Sequence, residues 1–371
     1  MLSGKITGAT SGFDYLRIIL AISVLAWHTF PLTHGETAAA QFMAGWGGSV
    51  VRLVLPMFFA LSGFLIAASL ERNSIGTFVG FRVLRIVPAL AVEITLSALI
   101  LAPLLTTLSL NDYFTDGRFW RYFLNVLGWI HYELPGVFAS NPYPNVVNGS
   151  LWTVPYELEC YVALVVIAVV RLVRPGALLL MIVAGGFALI TLSALKEVPD
   201  LKIDSAVPGR ALILCFLAGV LVYSARDLIP YSGKMAAAGL VLGLAFLSVP
   251  TLYVFCAIPI AYATVWCGLQ NIPKLPLVFT GDYSYGIYLY AFPIQQAVAM
   301  TFPKVGYFGA FALALVATSF CAAFSWHAIE RPALKLRRLF AGPQGLWPKI
   351  KARLRKTFRP PTEEEYDARQ W

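Results

Sequence analysis

Long apolar runs follow one another along almost the whole chain, near 14–31, 47–70, 84–108, 150–171, 176–195, 209–225, 234–249, 251–268, 283–302 and 307–329. Roughly 17 to 25 apolar residues are enough for a helix to cross the hydrocarbon of a bilayer. Inside that hydrocarbon no water is present to satisfy backbone N–H and C=O groups, so a spanning run of this kind must close its own hydrogen bonds as a helix. Only 13% of the 371 residues are charged, against about 25% in a soluble protein, too few to cover such a chain in water. The expected fold is all-α: a polytopic membrane helical bundle of about ten transmembrane helices.

Loop charge sets the expected orientation, because Lys and Arg collect on the cytoplasmic side. The segment "RFWRYFLNVLGWIHYEL", 118–134, is apolar but short, and carries Arg118, Arg121 and His131. If it does not span, Arg72, Arg82, Arg85, Arg171, Arg174, Arg226, Lys234, Lys274 and the basic C-terminal tail share one side with the N-terminus. This gives ten spans with both termini cytoplasmic, and makes 118–134 interfacial or re-entrant. The chain then divides into a cytoplasmic segment 1–13, a membrane domain 14–332 and a basic cytoplasmic tail 333–371. The first span carries Arg17 and His28, and no cleavage-like small-residue site follows it closely, so it is expected to be retained rather than removed as a signal peptide.

The net charge of +9 is concentrated in the tail, where ten Lys or Arg residues follow from Lys335 onward. They alternate with apolar residues just after a span, which suits anionic lipid and argues against nucleic acid as a partner. The acidic run Glu363 to Glu365 behind them reads as solvated. Cys160, Cys215, Cys256, Cys267 and Cys321 lie in apolar runs without metal-ligand spacing. They are expected to act as small hydrophobes, and no metal site is expected.

Charges inside the spans carry the functional signal. An ionisable side chain at the centre of a spanning helix costs about 2.5–3.5 kcal/mol on insertion scales, so its presence suggests a site. In "DYLRIILAISVLAWHTFPL", 14–32, Arg17 and His28 are eleven residues apart. At about 100° per residue they fall on one helix face, some 16 Å apart along the axis. Asp14 opens the same helix. Taken singly, Arg17 reads equally as a snorkelling side chain, and His28 as an interfacial imidazole.

In "FRVLRIVPALAVEI", 81–94, Arg82 and Arg85 are i, i+3 neighbours at the cytoplasmic edge. Paired guanidinium groups suit phosphate or carboxylate, although ordinary positive-inside charge gives the same pattern. Glu93, deeper on that helix, reads as a structural partner for a buried arginine. "NGSLWTVPYELECY", 148–161, brings Glu157 and Glu159 into the outer half of a span, with Asn148 or Ser150 as a helix cap. "HAIER", 327–331, places His327 and Glu330 at the cytoplasmic end of the last span, as a helix-end contact or a site component.

Together these stretches resemble the acyltransferase-3 family of membrane-bound polysaccharide and nodulation-factor O-acetyltransferases. "FDYLRIILAISVLAWH" is similar to its first-span signature, and "PMFFALSGFLI", with Ser62, to its FFxxSGF element. "FRVLRIVP" looks like its RxxR element. "SLWTVPYELECY", with Trp152, resembles its LWSLxxE element and puts Glu157 on the family glutamate. "GDYSYGIYLY" and "ERP" resemble the last two landmarks, so the likeness covers nearly all of 13–332 in order. One departure stands out: where many relatives carry a histidine after "YLY", this chain has Ala291 and Phe292, so no role of that histidine is carried over.

The resemblance implies transfer of an acyl group, usually acetyl, from acetyl-CoA as co-substrate to a hydroxyl of a surface or exported glycan, or of a lipid-linked saccharide. It places the protein in the bacterial inner membrane, with no permanently bound cofactor. Under it, His28 and Glu157 are the catalytic candidates, with Glu157 reaching the depth of His28 to orient it or to bind sugar. Arg17, Arg82 and Arg85 are the acyl-CoA candidates, and Asp14, Glu93, Ser62, Trp152 and Glu330 are further polar candidates. The competing reading is a secondary transporter or flippase, in which the same charges line a path. That reading calls for paired broken helices in inverted repeats, and none are visible.

Overall fold

The computed structural model of the chain describes residues 1–6, 10–195, 207–249, 252–275 and 281–340. The basic tail beyond Phe340, with its acidic run at 363–365, lies outside the described residues. All regular structure among the described residues is helical. We number the main helices α1 Gly12–Ala44, α2 Trp46–Arg72, α3 Ile75–Leu96, α4 Val154–Val169, α5 Pro175–Leu195, α6 Gly209–Ser224, α7 Gly233–Ser248, α8 Ala257–Gly268, α9 Ser284–Thr301 and α10 Tyr307–Phe324. Among the described residues, five helical stretches are long and apolar enough to cross a membrane: Gly12–Ala44, Trp46–Arg72, Ile75–Leu105, Gly149–Val169 and Tyr307–Leu339. Shorter apolar helices cover Pro175–Thr191, Gly209–Ser224, Gly233–Ser248 and Tyr253–Gly268.

The boundaries differ from the apolar runs where the backbone does something hydropathy does not record. α1 continues past Pro31 and turns only at Gly35, whose φ of 81° is open to glycine. α3 passes through a wide π turn at Ser97–Leu101 and ends at Leu105. α10 passes through a second π turn at Ser325–Glu330 and continues to Leu339. The chain stays packed as far as Phe340, whose carbonyl accepts from Thr77 Oγ1 at 3.0 Å.

Helices that are apolar all round gain little from hiding surface from lipid, so they associate by close backbone approach and by polar cross-links. α2 and α6 show the first device. A Cβ added at Gly63 would stand 2.0 Å from the Phe216 carbonyl oxygen, and one at Gly219 would stand 2.0 Å from that of Ala60. α9 shows the second. Gln295 donates to the Leu25 carbonyl at 2.7 Å and to Thr29 Oγ1 at 2.6 Å, tying α9 to α1.

Residues 106–148 form a mostly irregular cap over the end of the bundle away from the N-terminus. Residues 118–134 hold no helix long enough to cross it. They form the end of a six-residue helix, Gly117–Tyr122, a 3-10 turn at Phe123–Leu127 and extended chain, and six residues reach only about 9 Å. Buried irregular backbone needs partners, and Gln296 of α9 supplies them. Its amide donates to the Tyr143 and Val146 carbonyls at 2.8 and 2.7 Å, while its Oε1 accepts from Asn141 at 2.7 Å.

Candidate active site

The end of the bundle that carries the N-terminus holds a cavity of about 680 Å³. Its charged lining comes from helix ends that meet there. Arg17 enters from the start of α1, Arg72 from the end of α2, Arg82 and Arg85 from α3, and Arg337 from the extension of α10. Asp14 stands at the rim, bonded to Lys274 at 2.7 Å. Ser62, Glu157, Tyr161, Thr153, Tyr285 and Tyr288 line the deeper part.

The arginines are not equivalent. Arg85 is shared between Asp282 Oδ2 at 2.7 Å and Glu330 Oε2 at 2.8 Å, and Arg17 reaches Asp282 at 3.1 Å. Burial works to raise the Asp282 carboxyl, but Arg85 and Arg17 hold it below the usual carboxylate range. Glu330, itself buried, also accepts from Ser325 Oγ at 3.1 Å across the π turn. His327 faces elsewhere, 3.1 Å from the Tyr283 hydroxyl. In contrast, the Nε of Arg82 and of Arg337 is buried without a hydrogen-bond partner. Their guanidinium groups lie over the rings of Phe78 and Phe81, at 5.8 and 5.1 Å. Two arginines are thus neutralised by carboxylates, and two enter the cavity with hydrogen-bonding capacity to spare.

His28 sits deeper in the bundle, buried at 6% exposure. Its ring meets the edge of Phe292 at 5.1 Å, and its Nδ1 lies 3.5 Å from Ser150 Oγ. A small pocket of about 20 Å³ adjoins it, lined also by Trp27, Val51, Val54 and Trp152. Leu55 and Tyr288 line both this pocket and the large cavity. Arg17 and His28 therefore look into two adjacent spaces served by one helix. Val24, between them on α1, lines the inner pocket.

The turn that presents Ser150 is built by sequence-local capping. Asn148 Oδ1 accepts from the Ser150 N–H at 3.1 Å and opens the 3-10 turn Gly149–Thr153. The cap expected at Asn148 or Ser150 is therefore Asn148. Its amide donates to Glu93 Oε1 at 3.0 Å and to the Leu289 carbonyl at 2.9 Å. Ser97 Oγ also donates to Glu93, at 2.9 Å.

Two expected pairings are corrected by these contacts. Glu93 is fully buried and bonded to Asn148 and Ser97 rather than to an arginine. Glu157 bonds to Tyr161 and lines the arginine cavity, and the hydroxyl at His28 Nδ1 belongs to Ser150. The reason is the 3-10 turn ahead of α4, which delivers Ser150 to His28 and leaves Glu157 further along the helix, on the other side of Tyr288. Asp282, Ser150, Tyr288 and Arg337 were not singled out as site residues. Asp282 and Tyr288 stand inside "GDYSYGIYLY", so that motif was their only signal.

Residues 10–327 match a family described as an acyltransferase domain, the acyltransferase-3 family. The chain belongs to the acyltransferase-3 family. It is a membrane-embedded acyltransferase, with acyl-CoA as donor co-substrate. This acyltransferase is 28% identical over 336 residues to an O-acetyl transferase of Shigella phage Sf6, covering 86% of this chain and 94% of the relative. It is 29% identical over 363 residues to nodulation protein 10 of Rhizobium leguminosarum bv. viciae, covering 89% and 95%. No solved structure matches it.

Proposed function

We propose that this acyltransferase moves an acetyl group from cytosolic acetyl-CoA to a hydroxyl of a surface or exported glycan across a bacterial inner membrane. In this reading the chain spans the membrane ten times, with both termini and the arginine cavity on the cytoplasmic side. The observation that carries it is the shared wall. A cavity of a size to take a cofactor-like ligand, and rich in arginine, ends at Leu55 and Tyr288, directly behind which lies a buried histidine. The relative in Shigella phage Sf6 is named an O-acetyl transferase, which supports acetyl as the group moved.

Arg82 and Arg337 hold the donor's phosphates, since a guanidinium with unused N–H groups gives charge-assisted bonds to phosphate oxygens. Arg17 and Arg85, fixed by Asp282 and Glu330, shape the wall against which the donor lies. His28 meets the thioester end. With Ser150 Oγ accepting from Nδ1–H, the lone pair of Nε2 is free to take a proton. The acceptor hydroxyl gives up its proton to Nε2, its oxygen attacks the thioester carbonyl, and the CoA thiolate leaves. The same imidazole can instead carry the acyl group itself between donor and acceptor. Acid-quench trapping of labelled acetyl on the protein separates the two routes.

The deciding experiment compares surface glycans from cells with and without the protein by mass spectrometry. A gain of one acetyl group per modified sugar, dependent on His28, is the expected result, and identical glycans would overturn the proposal.

A further inference from the structure

The two spaces that meet at Leu55 and Tyr288 differ greatly in size, about 680 Å³ against about 20 Å³. A volume of 20 Å³ holds little more than one water-sized group. Its other walls are Ser23, Val24, Trp27, Val51, Val54 and Trp152, with the imidazole at one side. Indoles and β-branched side chains yield little, so these walls leave little room beside the imidazole for a long chain.

Tyr288 is held firmly in the partition. Its hydroxyl donates to the Ser150 carbonyl at 2.9 Å and shares a 2.6 Å hydrogen bond with Thr153 Oγ1. Its ring meets the edge of Phe58 at 6.2 Å. The same 3-10 turn therefore fixes both the partition, through the Ser150 carbonyl, and the imidazole, through Ser150 Oγ. Leu55 of α2 lines both spaces together with it.

We propose that Leu55 and Tyr288 form a passage that sets the length of the acyl group, admitting acetyl to His28 and excluding chains two carbons longer. This rests on the acyl-CoA reading above and names the residues that choose among donors. A methyl next to the thioester carbonyl fits the small pocket. A propyl tail must stay in the passage and displaces the Tyr288 phenol from Ser150 and Thr153. A pocket discriminates roughly 10- to 200-fold per methylene, so butyryl-CoA is used at least about tenfold less well than acetyl-CoA.

The test measures CoA release from acetyl-CoA and from butyryl-CoA by the purified full chain in lipid nanodiscs, with the cell's own membrane glycan fraction as acceptor. L55A and Y288A widen the passage and should shift the ratio of kcat/KM toward butyryl by about tenfold or more. Y288F keeps the ring but loses both hydrogen bonds. It should lower acetyl turnover and leave the ratio closer to that of the unaltered chain than Y288A does. An acetyl-to-butyryl ratio that is the same in the unaltered chain, L55A and Y288A overturns the passage while leaving acyl-CoA use intact. If Y288A does not fold, L55A and the milder L55V decide the matter alone. Absence of any CoA release from the unaltered chain overturns both the passage and the acyl-CoA reading.

Discussion

Ser150 Oγ lies 3.5 Å from His28 Nδ1, at the point where the 3-10 turn ahead of α4 meets α1. In the proposed mechanism Nδ1 faces this hydroxyl and Nε2 carries the chemistry. His28→Ala should lower transfer by at least about 10², the usual contribution of a positioned base, while the protein still inserts and folds. Ser150→Ala should lower kcat by about tenfold, with KM for acyl-CoA little changed, because orientation is lost and donor contacts are not. Steady-state kinetics on the purified variants checks both. A Ser150→Ala protein of full kcat would remove Ser150 from the mechanism.

Arg82 and Arg337 should behave differently from Arg85. Charge-assisted hydrogen bonds contribute about 1.5–3 kcal/mol, so Arg82→Gln or Arg337→Gln should weaken acyl-CoA binding about 10- to 100-fold at similar thermal stability. Arg85→Gln should instead lower stability, because Asp282 and buried Glu330 lose their shared cation. Calorimetric titration with acetyl-CoA and thermal melts on the three variants separate the two classes.

The Asp282 carboxyl is held low by Arg85 and Arg17 despite its burial. A depressed folded-state value means the ionised form supports the fold above the unfolded value of about 3.9. That support is lost as pH falls through the folded value. The contribution of this one carboxyl should therefore be level between neutral pH and about pH 5, and fall below about pH 4. Asp282→Asn should lower stability at pH 7 by up to about 3 kcal/mol, the low end for a broken buried pair, since its side chain is 28% exposed. It should also flatten the acid limb. Melts in detergent across that pH range would show an unchanged acid limb in the variant if the ion pair did not contribute.

Gly63 and Gly219 make a backbone contact that no side chain can share. Gly63→Ala should force α2 and α6 apart at a cost of about 1–3 kcal/mol or more. A lower melting temperature with a broader elution profile is the expected result, and a melt equal to that of the unaltered chain would show that the crossing is loose.

Helical periodicity alone made Arg17 and His28 legible, because both lie on one helix and their angular relation follows from the rise and twist of that helix. Asp282 was not legible in the same way, since its partners Arg17 and Arg85 come from two helices far away in sequence, and no period connects them. Arg337 sits in "LKLRRLF", whose alternation of basic and apolar residues reads equally as a strip lying on lipid. Only its packing over Phe81 brings it into the cavity. Tyr288 is one of several aromatic residues in an apolar run, where tyrosine is ordinary. Glu93 is visible as a carboxylate inside an apolar run, but its partners depend on where the Asn148 turn lands, a matter of tertiary packing. The helices were legible as apolar lengths. Their true ends were not, because π turns and a glycine kink extend helices without changing hydropathy.

The ring of Phe340 fills the hollow left by Gly80, and its carbonyl is pinned by Thr77. Trimming the chain at residue 332, where hydropathy invites a cut, would strip away this latch and the Arg337 guanidinium along with it. Shortened versions for biophysical work, and any fluorescent or affinity fusion, should leave everything through Phe340 untouched.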